Sequence, residues 1–130
     1  MEVATHAQRA IDASDVLRLY REEGWWPERS ADTVAAVLDQ GPAVGAWDGD
    51  RLVGFARAVT DGRFRAYIED VIVQKPFRRR GVAQLMLSAL REELRSVDTV
   101  TLFSVSDLVP VYEQAGFRRT KQVVLHARRL

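Results

Sequence analysis

The segment from Val71 to Gln84 constrains the fold most strongly, because it passes from a strand-like run through a short basic loop into a long helix. Beyond the loop, apolar side chains recur at the spacing of one helix face, at Val82, Leu85, Met86, Ala89, Leu90 and Leu94. An amphipathic helix needs an apolar surface to cover. The segment therefore predicts a helix that follows directly on a strand and packs on the core.

The start of this helix also has the chemistry of an anion-binding site. The first amides of a helix lack an acceptor within it, and the aligned peptide dipoles place roughly half a positive charge there. Gly81 lets the backbone approach a ligand closely, Ala83 keeps a neighbouring position small, and three arginines add positive charge. Such a loop favours a pyrophosphate. The candidate binding residues are Arg78, Arg79, Arg80, Gly81, Val82, Ala83 and Gln84.

Two helices and three strands are predicted before this segment. Ser14 and Ser30 each stand before an apolar periodic run, which predicts two capped helices, the second ending at Gly41-Pro42. A hairpin turn at residues 48–50 joins the first two strands. The strand-like runs are Ala43 to Trp47, Leu52 to Val59 and Ala66 to Val73.

The C-terminal part predicts a strand from Thr99 to Phe103 and a short helix from Leu108 to Ala115. Phe117 to Thr120 and Val123 to Ala127 are expected to close the chain as two further strands. The order β-β-β-α-β-α-β, preceded by two helices, predicts a mixed α/β fold.

Composition limits the function classes. A chain of 130 residues with 47% hydrophobic residues is long enough for one core, so we expect a single domain over residues 1–130. It has no cysteine, and neither a secretory leader nor a membrane span is expected, so the expected location is cytoplasmic. The chain has 19 cationic and 18 acidic residues, so its formal net charge is only +1. Neither a nucleic acid nor a membrane is therefore expected as a partner.

Two motifs carry a family resemblance. Arg78-Arg79-Arg80-Gly81-Val82-Ala83 fits the Gln/Arg-x-x-Gly-x-Gly/Ala signature by which GCN5-related N-acetyltransferases (GNAT) hold the pyrophosphate of acetyl-coenzyme A. Val111-Tyr112-Glu113-Gln114-Ala115-Gly116-Phe117 is similar to the Tyr-Glu-x-x-Gly-Phe segment that follows the family's fifth strand. The chain therefore resembles this family over about Ala43 to Ala127.

The resemblance implies a mixed, mostly antiparallel central sheet flanked by helices, whose fourth and fifth strands splay apart. Acetyl-coenzyme A, as cosubstrate, would lie in the splay, with its pantetheine arm on the strand amides of Val71, Ile72 and Val73. The implied reaction is acetyl transfer to a primary amine of an unidentified small molecule or peptide, by direct attack on the thioester. The alternative is a module of the same fold that binds acetyl-coenzyme A without turnover.

Three side chains are candidate catalytic residues. By resemblance, Tyr112 would give a proton to the departing thiolate. Glu69 and Asp70 are adjacent carboxylates within an apolar strand, and either could take the proton of the amine. Adjacent strand residues face opposite sides of a sheet, so we favour Glu69, which is expected to share a face with Val71 and Val73. The alternative is a structural ion pair between Asp70 and an arginine such as Arg57.

The remaining expectations are less specific. Many family members carry an asparagine that contacts the coenzyme where this chain has Val105, so Ser104, Ser106 or Asp107 would have to replace it. Family analogy places Trp25 and Trp26 over the acceptor pocket, with ordinary hydrophobic packing as the alternative. No metal is expected, because the two histidines have no ligand spacing. Members of the family are often dimers, so a homodimer is among the expectations.

Overall fold

The computed structural model describes residues 1–130, which form five strands and four helices. The strands are β1 (Glu2–Thr5), β2 (Ala43–Asp48), β3 (Arg51–Thr60), β4 (Arg65–Val73) and β5 (Thr99–Leu102). The helices are α1 (Ala13–Glu23), α2 (Ala31–Leu38), α3 (Val82–Glu93) and α4 (Val109–Gln114). Short 3-10 turns precede α3 at Lys75–Phe77 and α4 at Ser106–Leu108.

The strands form one sheet in the order β1-β2-β3-β4-β5. All neighbouring pairs are antiparallel except β4 and β5, which are parallel. One cluster of buried side chains joins α1 and α2 to the sheet, and a second joins α3 to it. Consecutive strand residues such as Leu52 and Val53 belong to different clusters, as the alternation of a pleated strand requires. The predicted mixed, mostly antiparallel sheet flanked by helices is confirmed.

Local signals set the helix ends. Ser30 caps α2, as predicted, and it does so in a reciprocal hydrogen-bonded box with Thr33. The prediction for α1 was wrong by two residues, because Asp12 is the cap and its carboxylate accepts the Ser14 N–H at 2.8 Å. Gly81 precedes α3 with φ +78°, a left-handed conformation that favours glycine.

A β-bulge interrupts β4 beside its partner β3. Phe55 pairs with Ile72 and Arg57 pairs with Glu69, so the two residues between them on β4 oppose one residue on β3. Asp70 is one of these two residues, and its left-handed backbone, with φ +59°, accommodates the extra residue. Because of the bulge, side chains four positions apart on β4 lie on opposite sides of the sheet. Ile68 packs in the cluster under α3, whereas Ile72 packs in the cluster under α1 and α2.

Three predictions of secondary structure were incomplete or wrong. The short strand β1, which pairs with β2 from Glu2 to Thr5, was not predicted. The expected strands at Phe117 to Thr120 and at Val123 to Ala127 do not form, because neither run pairs with the free edge of β5.

None of the helices has the length and hydropathy needed to cross a membrane.

Candidate functional site

A cleft with a volume of about 1210 Å³ lies between β4 and β5. The two strands pair only from Arg65 to Ile68 on β4, opposite Thr99 to Leu102 on β5. Beyond Ile68, β4 continues to Val73 without a neighbour on that side. The loop before α3 and the helix α4 border the opening. The expected splay of the fourth and fifth strands is therefore present.

Free backbone amides line the end of the cleft at α3. The first helical hydrogen bond runs from the Leu85 N–H to the Gly81 oxygen at 3.1 Å, and no amide from Arg79 to Gln84 donates within the chain. Arg79 and Gly81 both have left-handed backbones, with φ +62° and +78°. Successive free N–H groups in such a turn form a cradle for an anion. The residues present therefore fit a pyrophosphate.

The three arginines of the loop are not equivalent. Arg78 donates from Nε to the Val73 oxygen at 2.8 Å and pairs with Glu23. Arg79 lines the cleft and forms no ion pair. Arg80 is exposed and lies 5.5 Å from the Phe77 ring, outside the lining of the cleft. The positive charge available to a ligand comes mainly from Arg79, with Arg78 partly neutralised.

The predicted pantetheine-binding residues form the β4 wall of the cleft. Val71 and Val73 pack toward α3, whereas Ile72 is buried against α1 and α2. One side of their backbone faces the missing neighbour of β4, so the polar groups on that side are available to a ligand. The Val73 oxygen is not among them, because it already accepts from Arg78 Nε.

Tyr112 lies on α4 and lines the cleft. Its half-buried ring packs edge-on against Phe117, with 6.4 Å between ring centroids. Burial raises the pKa of Tyr112, since the phenolate would be poorly solvated there. The hydroxyl therefore keeps its proton at neutral pH and can donate it.

Glu69 and Asp70 both line the cleft, and both bind Arg57. The expectation that they face opposite sides, with Glu69 beside Val71 and Val73, was wrong. The left-handed turn at Asp70 places two consecutive carboxylates on the α1 and α2 side of the sheet. They still differ in access, because the Glu69 side chain is 20% exposed and that of Asp70 is 1% exposed.

The Asp70 carboxylate is the centre of a buried polar cluster. It accepts hydrogen bonds from the Tyr20 hydroxyl at 2.8 Å, Trp26 Nε1 at 3.1 Å, Arg29 Nη1 at 2.9 Å and Arg57 Nε at 3.1 Å. Burial opposes the charge of Arg29, but the charge of Asp70, the hydrogen bond to it and the other acidic groups nearby together outweigh burial and raise the pKa of the guanidinium. The alternative of an ion pair between Asp70 and Arg57 is thus realised, and Arg29 extends it.

Sequence reasoning missed Tyr20 and Arg29. Tyr20 fits the apolar face of α1, and Arg29 lies in a loop, so neither has a local signal for a polar contact across the fold. Trp25 packs on the core, Trp26 is 38% exposed, and both line the cleft, so their placement fits both the packing alternative and the expected position beside the pocket. Trp26 also stacks 4.3 Å from the Arg29 guanidinium.

The residues offered in place of the family asparagine lie near the cleft in different ways. Ser104, Val105 and Asp107 line it, whereas Ser106 does not. The Ser104 hydroxyl donates to the Val105 oxygen at 2.8 Å. Asp107 is exposed and makes no ion pair. The chain contains no group of three His, Asp or Glu side chains arranged to hold a metal ion.

A mixed sheet with splayed β4 and β5, a free-amide loop before α3 and a tyrosine on α4 define a class of acyltransferase folds. Residues 12–127 match the family described as the acetyltransferase (GNAT) domain. The chain belongs to the GNAT family.

Individual relatives agree with this assignment. Histone acetyltransferase TAP1 of Glycine max is 30% identical over 121 residues, which cover 82% of this chain and 52% of that protein. The uncharacterised N-acetyltransferase ycf52 of Porphyra purpurea is 39% identical over 69 residues, covering 52% of this chain and 40% of the relative. The chain thus spans about half the length of these relatives or less.

A solved structure supports the fold. A probable acetyltransferase of unknown function from meticillin-resistant Staphylococcus aureus superposes with a TM-score of 0.84 and covers 98% of both chains. Its sequence identity is 19%, so the likeness is one of fold alone.

Proposed function

We propose that this chain transfers the acetyl group of acetyl-coenzyme A to a primary amine of a small molecule or peptide. One observation carries the proposal: the cleft between β4 and β5 joins free helix amides, an unpaired strand edge, a proton acceptor and a proton donor. A protein that only bound an anion would need the first of these features and not the others.

The loop before α3 and the β4 edge would hold the cosubstrate. The amides from Arg79 to Gln84 donate to the pyrophosphate, and Arg79 adds charge beside them. The backbone of Val71 to Val73 bonds the pantetheine arm as an added strand would. The coenzyme supplies a thioester, whose acetyl group is already activated for transfer.

Glu69 is the proposed base. An alkylamine has an ordinary pKa near ~10 and is mostly protonated at neutral pH, so it must lose a proton before it can attack. The Glu69 carboxylate is more accessible than that of Asp70, whose oxygens already accept four hydrogen bonds. Glu69 takes the proton directly or through a water molecule.

Tyr112 is the proposed acid. The neutral amine attacks the thioester carbon, the C–N bond forms, and the C–S bond breaks with its electron pair on sulfur. Tyr112 gives that sulfur a proton, and the proton lost from nitrogen as the amide forms returns to the phenol through solvent. The products are an N-acetylated amine and free coenzyme A.

An assay of free coenzyme A across a panel of small amines, amino sugars and peptides tests the proposal. At least one amine should release coenzyme A in step with an acetylated product detected by mass spectrometry. A protein that binds acetyl-coenzyme A in calorimetry yet acetylates no amine in the panel would be a binding module instead. Absence of binding would overturn both functions.

A further inference from the structure

The helix that bears Tyr112 is weakly anchored by its own packing. α4 has six residues, none of which is fully buried. A helix this short is not stable alone, so contacts from elsewhere must hold it. Two side chains of α3 reach its backbone, one near each end. At its first turn, Gln84 Nε2 donates to the Val111 oxygen at 2.7 Å.

Arg91 holds the other end of α4. Its Nη1 donates to the Ala115 oxygen at 3.0 Å, and its guanidinium lies 5.4 Å from the centre of the Phe117 ring. The carbonyl oxygens at a helix C-terminus lack partners within the helix, and a cation is favoured there. Arg91 satisfies one of these groups and stacks on the aromatic residue that follows.

Gly116 makes room for this contact. A Cβ at this position would lie 2.5 Å from Arg91 Nη1, and the backbone has φ +95°, which disfavours any other residue. Gly116 and Phe117, the Gly-Phe pair at the end of the motif, therefore form the contact surface for Arg91. The guanidinium packs against the glycine and lies beside the phenylalanine ring.

We propose that Arg91 is a positioning residue that fixes the Tyr112 hydroxyl at the cleft. The turn that Arg91 holds is continuous with Tyr112, whose backbone oxygen accepts the N–H groups of Ala115 and Phe117, both at 3.0 Å. Release of Ala115 frees this turn and lets the tyrosine ring shift. The inference rests on the proposed function, because Tyr112 matters only if thiolate departs.

The variant Arg91→Met keeps the aliphatic stem and removes the charge and donors. Loss of one hydrogen bond and one cation–π contact should lower kcat roughly tenfold and leave the KM for acetyl-coenzyme A within about twofold. Arg91→Lys, which can still donate to Ala115, should recover part of the loss. Amide hydrogen exchange at Ala115 and Phe117 should quicken in Arg91→Met by a similar factor.

Arg95→Met is the matched control, because Arg95 is 74% exposed and contacts only Glu92. It should leave kcat and the exchange of α4 unchanged. In a Tyr112→Phe background, Arg91→Met should cause no further loss of kcat, since both changes act on one step. The inference would be overturned if the losses of kcat from Arg91→Met and Tyr112→Phe multiplied in the double variant. Unchanged amide exchange at α4 in Arg91→Met would also overturn it.

The two proposals fail in distinguishable ways. A parent protein without turnover on any amine would overturn the proposed function, and this inference with it. An active parent whose Tyr112→Phe variant is impaired while Arg91→Met has parental kcat would overturn the role of Arg91 alone.

Discussion

The Tyr20 hydroxyl donates a hydrogen bond to Asp70 Oδ2 at 2.8 Å, and both side chains are almost completely buried. This contact ties the core face of α1 to the bulge of β4. Burial and the Asp70 carboxylate raise the pKa of Tyr20 well above its ordinary value near 10. The polar cluster beside the cleft is thus anchored by a phenol that stays protonated in the folded protein.

Tyr20→Phe should destabilise the protein by about 2 kcal/mol, because it removes a hydrogen bond to a buried carboxylate. The sign of its pH effect follows from the raised pKa. Above pH ~10 the unfolded chain loses the phenol proton and the folded chain keeps it, so the stability of the parent falls as pH rises. Thermal midpoints from pH 8 to 11 should converge for the two proteins, because the variant lacks this loss. A constant gap would contradict the assignment.

Gly81→Glu should abolish binding of acetyl-coenzyme A, measured by calorimetry. The change strains a left-handed backbone and places a carboxylate among the amides meant for an anion. Gly62→Glu is a matched control, since Gly62 has φ +79° and open space around it, as Gly81 does with φ +78°. The control should lose a similar stability, about 1–2 kcal/mol, and bind normally. Parental affinity in Gly81→Glu would remove the proposed pyrophosphate site.

Tyr112→Phe keeps the ring that packs on Phe117 and removes the proton. Turnover should fall by roughly ten- to a thousandfold, the scale of general acid catalysis, with little change in coenzyme affinity. In the parent, the tyrosine should remain protonated above pH ~10, because burial raises its pKa. Equal turnover in variant and parent would make Tyr112 a packing residue.

Glu69→Gln should lower kcat/KM at neutral pH by roughly a hundredfold or more. The rate should recover partly as pH rises, because the free amine becomes abundant without help from a base. Initial rates measured from pH 6 to 10 test this expectation.

Asp70→Asn should act mainly on stability, with a loss of about 3 kcal/mol, because it removes the buried carboxylate that Arg29 and Arg57 share and leaves both arginines with Glu69 alone. Thermal midpoints compared with initial rates separate the two effects. A pH profile that is flattened in Asp70→Asn and untouched in Glu69→Gln would make Asp70 the base. If neither change alters the pH profile, solvent or a loop residue takes the proton of the amine.

Signals within a few residues determined most of the fold. The cap at Ser30, the turn between β2 and β3, and the apolar spacing along α3 depend on neighbours in sequence, so their predictions hold. The loop before α3 is equally local, because a helix start provides its own free amides. The two motifs sufficed for the family.

Pairing between distant segments decided the rest. A four-residue run such as β1 becomes a strand only because β2 offers it an edge, and the β-prone run Val123 to Ala127 stays unpaired although β5 has a free edge. The facing of Glu69 and Asp70 depends on a bulge opposite β3, which alternation along one strand cannot reveal. Sequence supplied the carboxylates, tyrosine and arginines, whereas the tertiary structure set which of them meet, because such contacts join residues far apart in the chain.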